Sequence, residues 1–281
     1  MSFGFKLKFG IMQGRLSPMI QNKIQSFPKK NWKNEFKLAN KLGLSFIEWT
    51  LDYKDLSKNP IFLKDDVNYI KKLCKTHSIK LRSLTGDCFM QKPFWKEKFN
   101  SKLIDDLKKI VIASKNIGIK YIIVPLVDNG GLNNKSQENK LVKICSNLKN
   151  FLKKNKVKLL FESDFEPIRL KKFIQRFDND AFGINYDLGN SAGMGYDLNS
   201  EFKNYGKYID NIHIKDRVLN GTTVRLGKGN ANFDNLFFNL KKYKYKKILI
   251  FQTARAKNNK DVEEIKINIM FIKKYLNKFY D

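Results

Sequence analysis

Apolar positions along this chain follow two periods in turn. Short β-rich runs lie at 8 to 12, 45 to 49, 79 to 84, 120 to 126, 157 to 162, 181 to 187, 211 to 215 and 247 to 252, and they read as strands. Segments with apolar residues three and four apart separate them, at 32 to 42, 65 to 76, 99 to 116, 137 to 154, 168 to 177, 197 to 205, 233 to 242 and 261 to 277. Eight strands alternating with amphipathic helices predict right-handed βαβ units and a parallel sheet, an α/β fold of the (β/α)8 TIM barrel type. Gly43 and Gly118 stand where helix-ending glycines belong, and Asp65 and Ser136 are candidate N-caps. No linker or internal repeat divides the chain, so residues 1 to 281 are expected to form a single domain.

The long connections all follow strands, at 13 to 31, 50 to 64, 85 to 98, 127 to 135 and 216 to 232. This asymmetry places function at the carboxyl rim of the barrel. Four strands in the second half end in side chains able to bind a metal: LLFE at Glu162, FGINYD at Asp187, NIHIKD at His213 and ILIFQ at Gln252. Alternation along a strand puts each of them on the same face as the residue two before it. Taken singly, each has a bland reading, because a strand-end carboxylate often caps the next helix or pairs with a lysine, and a lone buried histidine is usually a core residue. Four such groups on neighbouring strands aim at one point, and together they predict a metal site.

The formal net charge of +28 would ordinarily point to nucleic acid. Seven arginines leave 48 of the 55 basic residues as lysine, spread over helix faces. That distribution reads as a solvated surface, and no nucleic-acid partner is expected. Arg15, Arg217, Arg225 and Arg255 follow predicted strands. Guanidinium forks suit carboxylate or phosphate better than lysine does, so these four are candidate substrate contacts and the expected substrate is anionic. Cys74, Cys88 and Cys145 are odd in number and far apart, which argues against disulfides and against a zinc knuckle. No run of eighteen apolar residues occurs and the first residues lack a secretory pattern, so a soluble, cytoplasmic protein with no membrane partner is expected. The sequence leaves room for a homo-oligomer.

The chain resembles the xylose isomerase-like sugar phosphate isomerases and epimerases, a superfamily of divalent-metal TIM barrels. The motifs that carry this are GIMQGRL (10 to 16), FIEW (46 to 49), FESD (161 to 164), NYDLGNSA (185 to 192), IHIKDR (212 to 217), VRLGKGNANFD (224 to 234) and FQTAR (251 to 255). The resemblance implies Glu162, Asp187, His213 and Gln252 as ligands of one divalent ion and a sugar or sugar phosphate as substrate. Hard oxygen donors favour Mn²⁺ or Mg²⁺, with Co²⁺ or Zn²⁺ as alternatives.

Two positions depart from the family pattern. Gln252 stands where most catalytic members carry a second proton-moving glutamate, and Asn190 stands where many have histidine. Gln252 can bind a metal but cannot take a proton. With only Glu162 and Asp187 charged, the ligands balance a divalent ion, which should then bind more weakly and polarise substrate more strongly.

The resemblance implies an enediolate mechanism with Glu162 as base, and Lys215, on the face of His213, is the candidate second catalytic group. Asn190 can hydrogen-bond a sugar hydroxyl. Gln13 and Glu48 are expected to line the mouth, and Phe89, Phe94 and Trp95 are candidates to cover a sugar ring. An isomerase or epimerase is the first reading, with a dehydratase of the inosose type and a non-catalytic metal or sugar-binding barrel as alternatives. An apurinic-site endonuclease needs several histidines for a three-metal cluster, whereas this chain has two and His77 lies toward the other rim.

Overall fold

In the computed structural model, which describes residues 7–256 and 259–280, ten strands form: β1 (Phe9–Met12), β2 (Phe46–Thr50), β3 (Lys80–Thr85), β4 (Tyr121–Leu126), β5 (Lys158–Ser163), β6 (Phe182–Asp187), β7 (Ile209–Ile214), β8 (Asp216–Arg217), β9 (Thr223–Val224) and β10 (Ile248–Phe251). Eight of them close into a parallel barrel in the order β1-β10-β7-β6-β5-β4-β3-β2, and β8 with β9 makes an antiparallel ribbon in the loop above β7. The helices are α1 (Trp32–Lys41), α2 (Lys64–Thr76), α3 (Asp87–Gln91), α4 (Ser101–Asn116), α5 (Lys135–Asn155), α6 (Pro167–Ile174), α7 (Leu188–Met194), α8 (Leu198–Tyr205), α9 (Phe233–Lys242) and α10 (Asp261–Tyr280). This is the α/β TIM barrel the periodicity predicts. The short helices α3 and α7 sit directly behind the carboxyl ends of β3 and β6, in segments whose few residues show no helical period.

Gly43 and Gly118 end α1 and α4 with φ of +73° and +88°, a conformation that other residues adopt only under strain. Two expected caps are elsewhere. Asn134, not Ser136, caps α5 by accepting from the Gln137 N–H at 2.9 Å, and Asp65 lies inside the first turn of α2. A side-chain acceptor must precede the first turn to reach its free N–H groups, and Asn134 is the residue with both the extended backbone and the short amide.

Alternation along the strands divides the interior into two layers. Outward side chains pack against the helices in the main core, where Phe161 is fully buried among Phe173, Phe177 and Phe182. Phe161→Ala should cost about 3–5 kcal/mol, read as a lowered midpoint in urea with unchanged m. Inward side chains form a small apolar plug of Met12, Ile248 and Ile250 closed by Phe46 and Tyr121. Beneath it, buried Asp210 is paired with Lys158 at 2.5 Å and Lys247 at 2.6 Å. Above it, toward the carboxyl rim, the inward positions turn polar. Among the described residues no helix is long and apolar enough to cross a membrane.

Candidate active site

The barrel's twofold alternation brings Glu48, Glu162, Asn185, Asp187, Asn211 and His213 onto its inner face, and all six are buried. Parallel register sets their heights: Asp187 lies beside His213, and Asn185 beside Asn211. One ligand atom from each of Glu162, Asp187 and His213 lies within 4.8 Å of the others. The imidazole is oriented by both nitrogens. Nε2 donates to Glu48 Oε1 at 2.7 Å, which turns Nδ1 toward Glu162 Oε2 at 3.3 Å and Asp187 Oδ2 at 4.0 Å. A carboxylate behind the imidazole is the usual way a metal-binding histidine is held.

Glu48 is itself fixed, accepting from Thr85 Oγ1 at 2.6 Å and Asn211 Nδ2 at 3.0 Å. Asn211 also donates to Asn185 Oδ1 at 2.7 Å, and Asn185 donates to Glu162 Oε2 at 2.6 Å. Burial by itself would push the His213 pKa down, but Glu48 and Glu162 outweigh it and raise it to about 10. In Glu48 burial is likewise the largest influence, and the facing imidazole overcomes it to hold the carboxylate below its ordinary range.

Asp187 also meets the bland reading of a strand-end carboxylate. Its Oδ1 caps α7 by accepting from Asn190 N at 2.8 Å, while Oδ2 accepts from Lys215 Nζ at 3.1 Å. Lys215 donates in addition to Asn190 Oδ1 at 3.0 Å, and Asn190 Nδ2 reaches Glu162 Oε1 at 3.2 Å. Gln252 is buried, and its Oε1 finds no partner among the described residues. Gln252 lines the same cavity as Glu162, and an unpaired buried amide oxygen there is a costly arrangement unless a cation completes it. The donor set therefore fits a divalent ion held by Glu162, Asp187, His213 Nδ1 and Gln252 Oε1.

Above these residues opens a cavity of about 570 Å³, lined among others by Arg15, Gln25, Asp87, Asp128, Glu162, Asn190, Lys215, Arg217 and Gln252. That volume is in the range of small-molecule sites. Asp216 of the HIKD run is fully buried and accepts from the N–H groups of Gly227, Gly229 and Ala231 at 2.8, 3.0 and 2.9 Å, folding the LGKGNANFD loop over the rim. A Cβ at Gly229 would meet Asp216 Oδ1 at 2.3 Å, so only glycine fits there.

Several expected contacts are placed differently. Glu48 does not line the mouth: it is wholly buried beneath the site as the partner of His213, because its height on β2 falls below the rim. Gln13 is also buried, its Oε1 accepting from Thr50 N at 3.2 Å between β1 and β2. Arg225 forms a two-pronged pair with Glu264 at 2.6 Å, and Arg255 holds the carbonyls of Gly14 and Ser17 together with Asp261. Neither lines the cavity. The aromatic trio Phe89, Phe94 and Trp95 packs edge to face on itself, and Trp95 Nε1 donates to Gly130 O, so it builds the loop rather than covering a ligand. Arg15 and Arg217 do line the cavity, with Arg217 donating to Asn190 Oδ1 at 3.2 Å.

Sequence reasoning missed Asn185 and Asn211, although each lies two residues before a recognised site residue and the strand period predicts a shared face. As an acid in the loop after the third strand Asp87 has only a weak claim from sequence, and Gln25 has none, because their places depend on loop paths that periodicity does not encode.

A family model described as a xylose isomerase-like TIM barrel matches residues 36–275. No curated protein matches the chain in sequence. Among solved structures the chain is similar to a xylose isomerase domain protein from Planctomyces limnophilus, with a TM-score of 0.76 and 13% identity over 99% of both chains. The IOLI protein with a binding zinc atom aligns with a TM-score of 0.74 and 18% identity over 98% of this chain and 100% of that one. D-psicose 3-epimerase with D-tagatose from Clostridium cellulolyticum H10 aligns with a TM-score of 0.74 and 13% identity over 96% and 99%. At such identities these likenesses establish the fold.

Proposed function

The chain belongs to the xylose isomerase-like TIM barrel family, and from that membership and the site's geometry we propose that it is a divalent-metal-dependent isomerase or epimerase of a sugar or sugar phosphate. The observation that carries this is the convergence of Glu162, Asp187 and His213 within 4.8 Å, with Glu162 and the unpaired Gln252 lining one sugar-sized cavity. The zinc of the IOLI protein and the sugar bound to the psicose epimerase support the same reading. Oxygen donors dominate here, which favours Mn²⁺ or Mg²⁺. Such an ion supplies Lewis acidity toward a carbonyl and its neighbouring hydroxyl.

The chain's own groups do the rest. Glu162, held by two asparagine amides, removes the proton from the hydroxyl-bearing carbon next to the carbonyl. Lys215, at 3.1 Å from Asp187 and lining the cavity, faces the negative charge that develops on the substrate oxygens. Asn190 hydrogen-bonds a hydroxyl. Arg15 and Arg217 attract an anionic end group at the rim, which favours a phosphorylated sugar or a sugar acid.

The test is turnover of a panel of free and phosphorylated ketohexoses and sugar acids with Mn²⁺, followed by solvent-deuterium incorporation at carbon. Metal analysis is expected to give one ion per chain, lost on His213→Ala. Arg217→Lys should raise KM for the anionic substrate about 10-fold with a smaller change in kcat, as expected for a contact uniform through the reaction. Equal turnover of neutral and anionic sugars, unaffected by Arg217→Lys or Arg15→Lys, would show that the substrate's charge is not read at this rim.

A further inference from the structure

Inverting a carbon requires a proton on the face opposite Glu162, and Gln252 cannot deliver one. Asp87 opens α3 at the end of β3, is only 5% exposed, and lines the cavity that holds Glu162, Lys215 and Gln252. Its Oδ2 accepts from Gln25 Nε2 at 2.6 Å, and the Oε1 of that same amide accepts from Gln252 Nε2 at 3.1 Å. A single amide group thus separates the Asp87 carboxyl from Gln252. Among the described residues Asp87 Oδ1 takes no hydrogen bond, and no cation pairs with the carboxyl within 4.0 Å.

Resting on the proposed function, we infer that Asp87 is the second proton-transfer group of the site, so that the enzyme inverts a stereocentre rather than only moving a carbonyl. The substrate C–H bond breaks toward Glu162, leaving its electron pair in the enediolate. The Asp87 O–H bond then breaks as a new C–H bond forms at the same carbon from the other face. Solvent takes the proton from Glu162 and returns one to Asp87, which restores the starting state. The surroundings suit an acid. Burial is the largest influence on Asp87; the Gln25 hydrogen bond and Arg15 oppose it, the carboxylates of Asp52 and Glu162 add to it, and the balance pushes its pKa up to about 7. Two carboxyls in one cavity with different surroundings take different roles.

The experiment compares wild type, Asp87→Asn and Lys215→Met, loaded with Mn²⁺, in D₂O. D-tagatose, D-fructose and their 6-phosphates are the probes, and C–H exchange and epimer formation are read separately by NMR. Asp87→Asn is expected to keep exchange within about 10-fold of wild type and to lose epimer formation by about 100-fold or more, the scale of general acid catalysis. Its Mn²⁺ affinity should stay within about 3-fold of wild type, because Asp87 is not among the ligands. In metal-free protein the ¹³C carboxyl resonance missing from Asp87→Asn should titrate near pH 7, and epimer formation by the loaded enzyme should fall as rising pH takes the proton from this acid.

Undiminished inversion by Asp87→Asn would overturn the inference, as would a carboxyl already ionised at pH 5. Loss of exchange together with Mn²⁺ binding would make Asp87 structural and overturn it too, and so would loss of inversion in Lys215→Met alone. Absence of exchange in wild type with every probe would overturn the proposed function itself, and the role of Asp87 with it.

Discussion

Glu162→Gln should reduce exchange of the substrate C–H proton with solvent by about 10²–10⁴-fold, the range spanned by positioned general bases. The amide is nearly isosteric with the carboxylate and keeps one oxygen that can face a cation. It has no basic lone pair to receive a carbon-bound proton. Metal binding should weaken without vanishing, since Asp187, His213 and Gln252 remain. Folding should be perturbed modestly, because Asn185 and Asn190 both donate to Glu162 and only one of them can find the single remaining acceptor oxygen. NMR in D₂O measures exchange directly, without requiring net conversion, and calorimetric titration with Mn²⁺ measures the ion. Wild-type exchange in Glu162→Gln would move the base elsewhere, with Lys215 as the next candidate because it lines the same cavity.

The contrast between Glu162 and Glu48 marks how far the sequence can be read. Strand periodicity placed both on the barrel's inner face, and both are there. It could not assign their heights, because depth in a barrel depends on strand stagger, which is fixed by hydrogen-bond register between chain segments far apart in sequence. Glu48 pairs in register with Met12 and lies a layer lower, where His213 meets it. The arginines failed for a different reason. Arg225 and Arg255 follow strands as expected, but each finds an acid on the last helix or at its start, Glu264 or Asp261, and a long side chain goes to the nearest strong partner. Asp87 was visible only as a loop acid. Its burial comes from the path of residues 13 to 31, which carries Gln25 across the cavity to meet it.

The affinity for Mn²⁺ should rise about tenfold per pH unit between pH 6 and 9, because binding displaces a proton from His213. The imidazole meets the ion through Nδ1 and must be neutral there. In the metal-free protein, the carboxylates of Glu48 and Glu162 overcome burial and raise its pKa to about 10. The sign follows directly: below that pH the free site binds the proton, the ion must expel it, and each unit of rising pH removes one factor of ten from that cost. Glu48→Gln takes away the anion at Nε2, so the His213 pKa falls and the slope should flatten. The same substitution removes the charged acceptor that orients the ring, and outer partners of this kind contribute about 10–100-fold to metal affinity. At pH 9 the variant should therefore bind about 10–100-fold more weakly than wild type, and the gap should close toward pH 6, where wild type still has to release its proton. Titrations in buffers of different ionisation enthalpy count that proton directly, at close to one per ion for wild type and fewer for Glu48→Gln. A wild-type affinity independent of pH would mean that His213 is already neutral in the empty site and that Glu48 serves only to hold the ring.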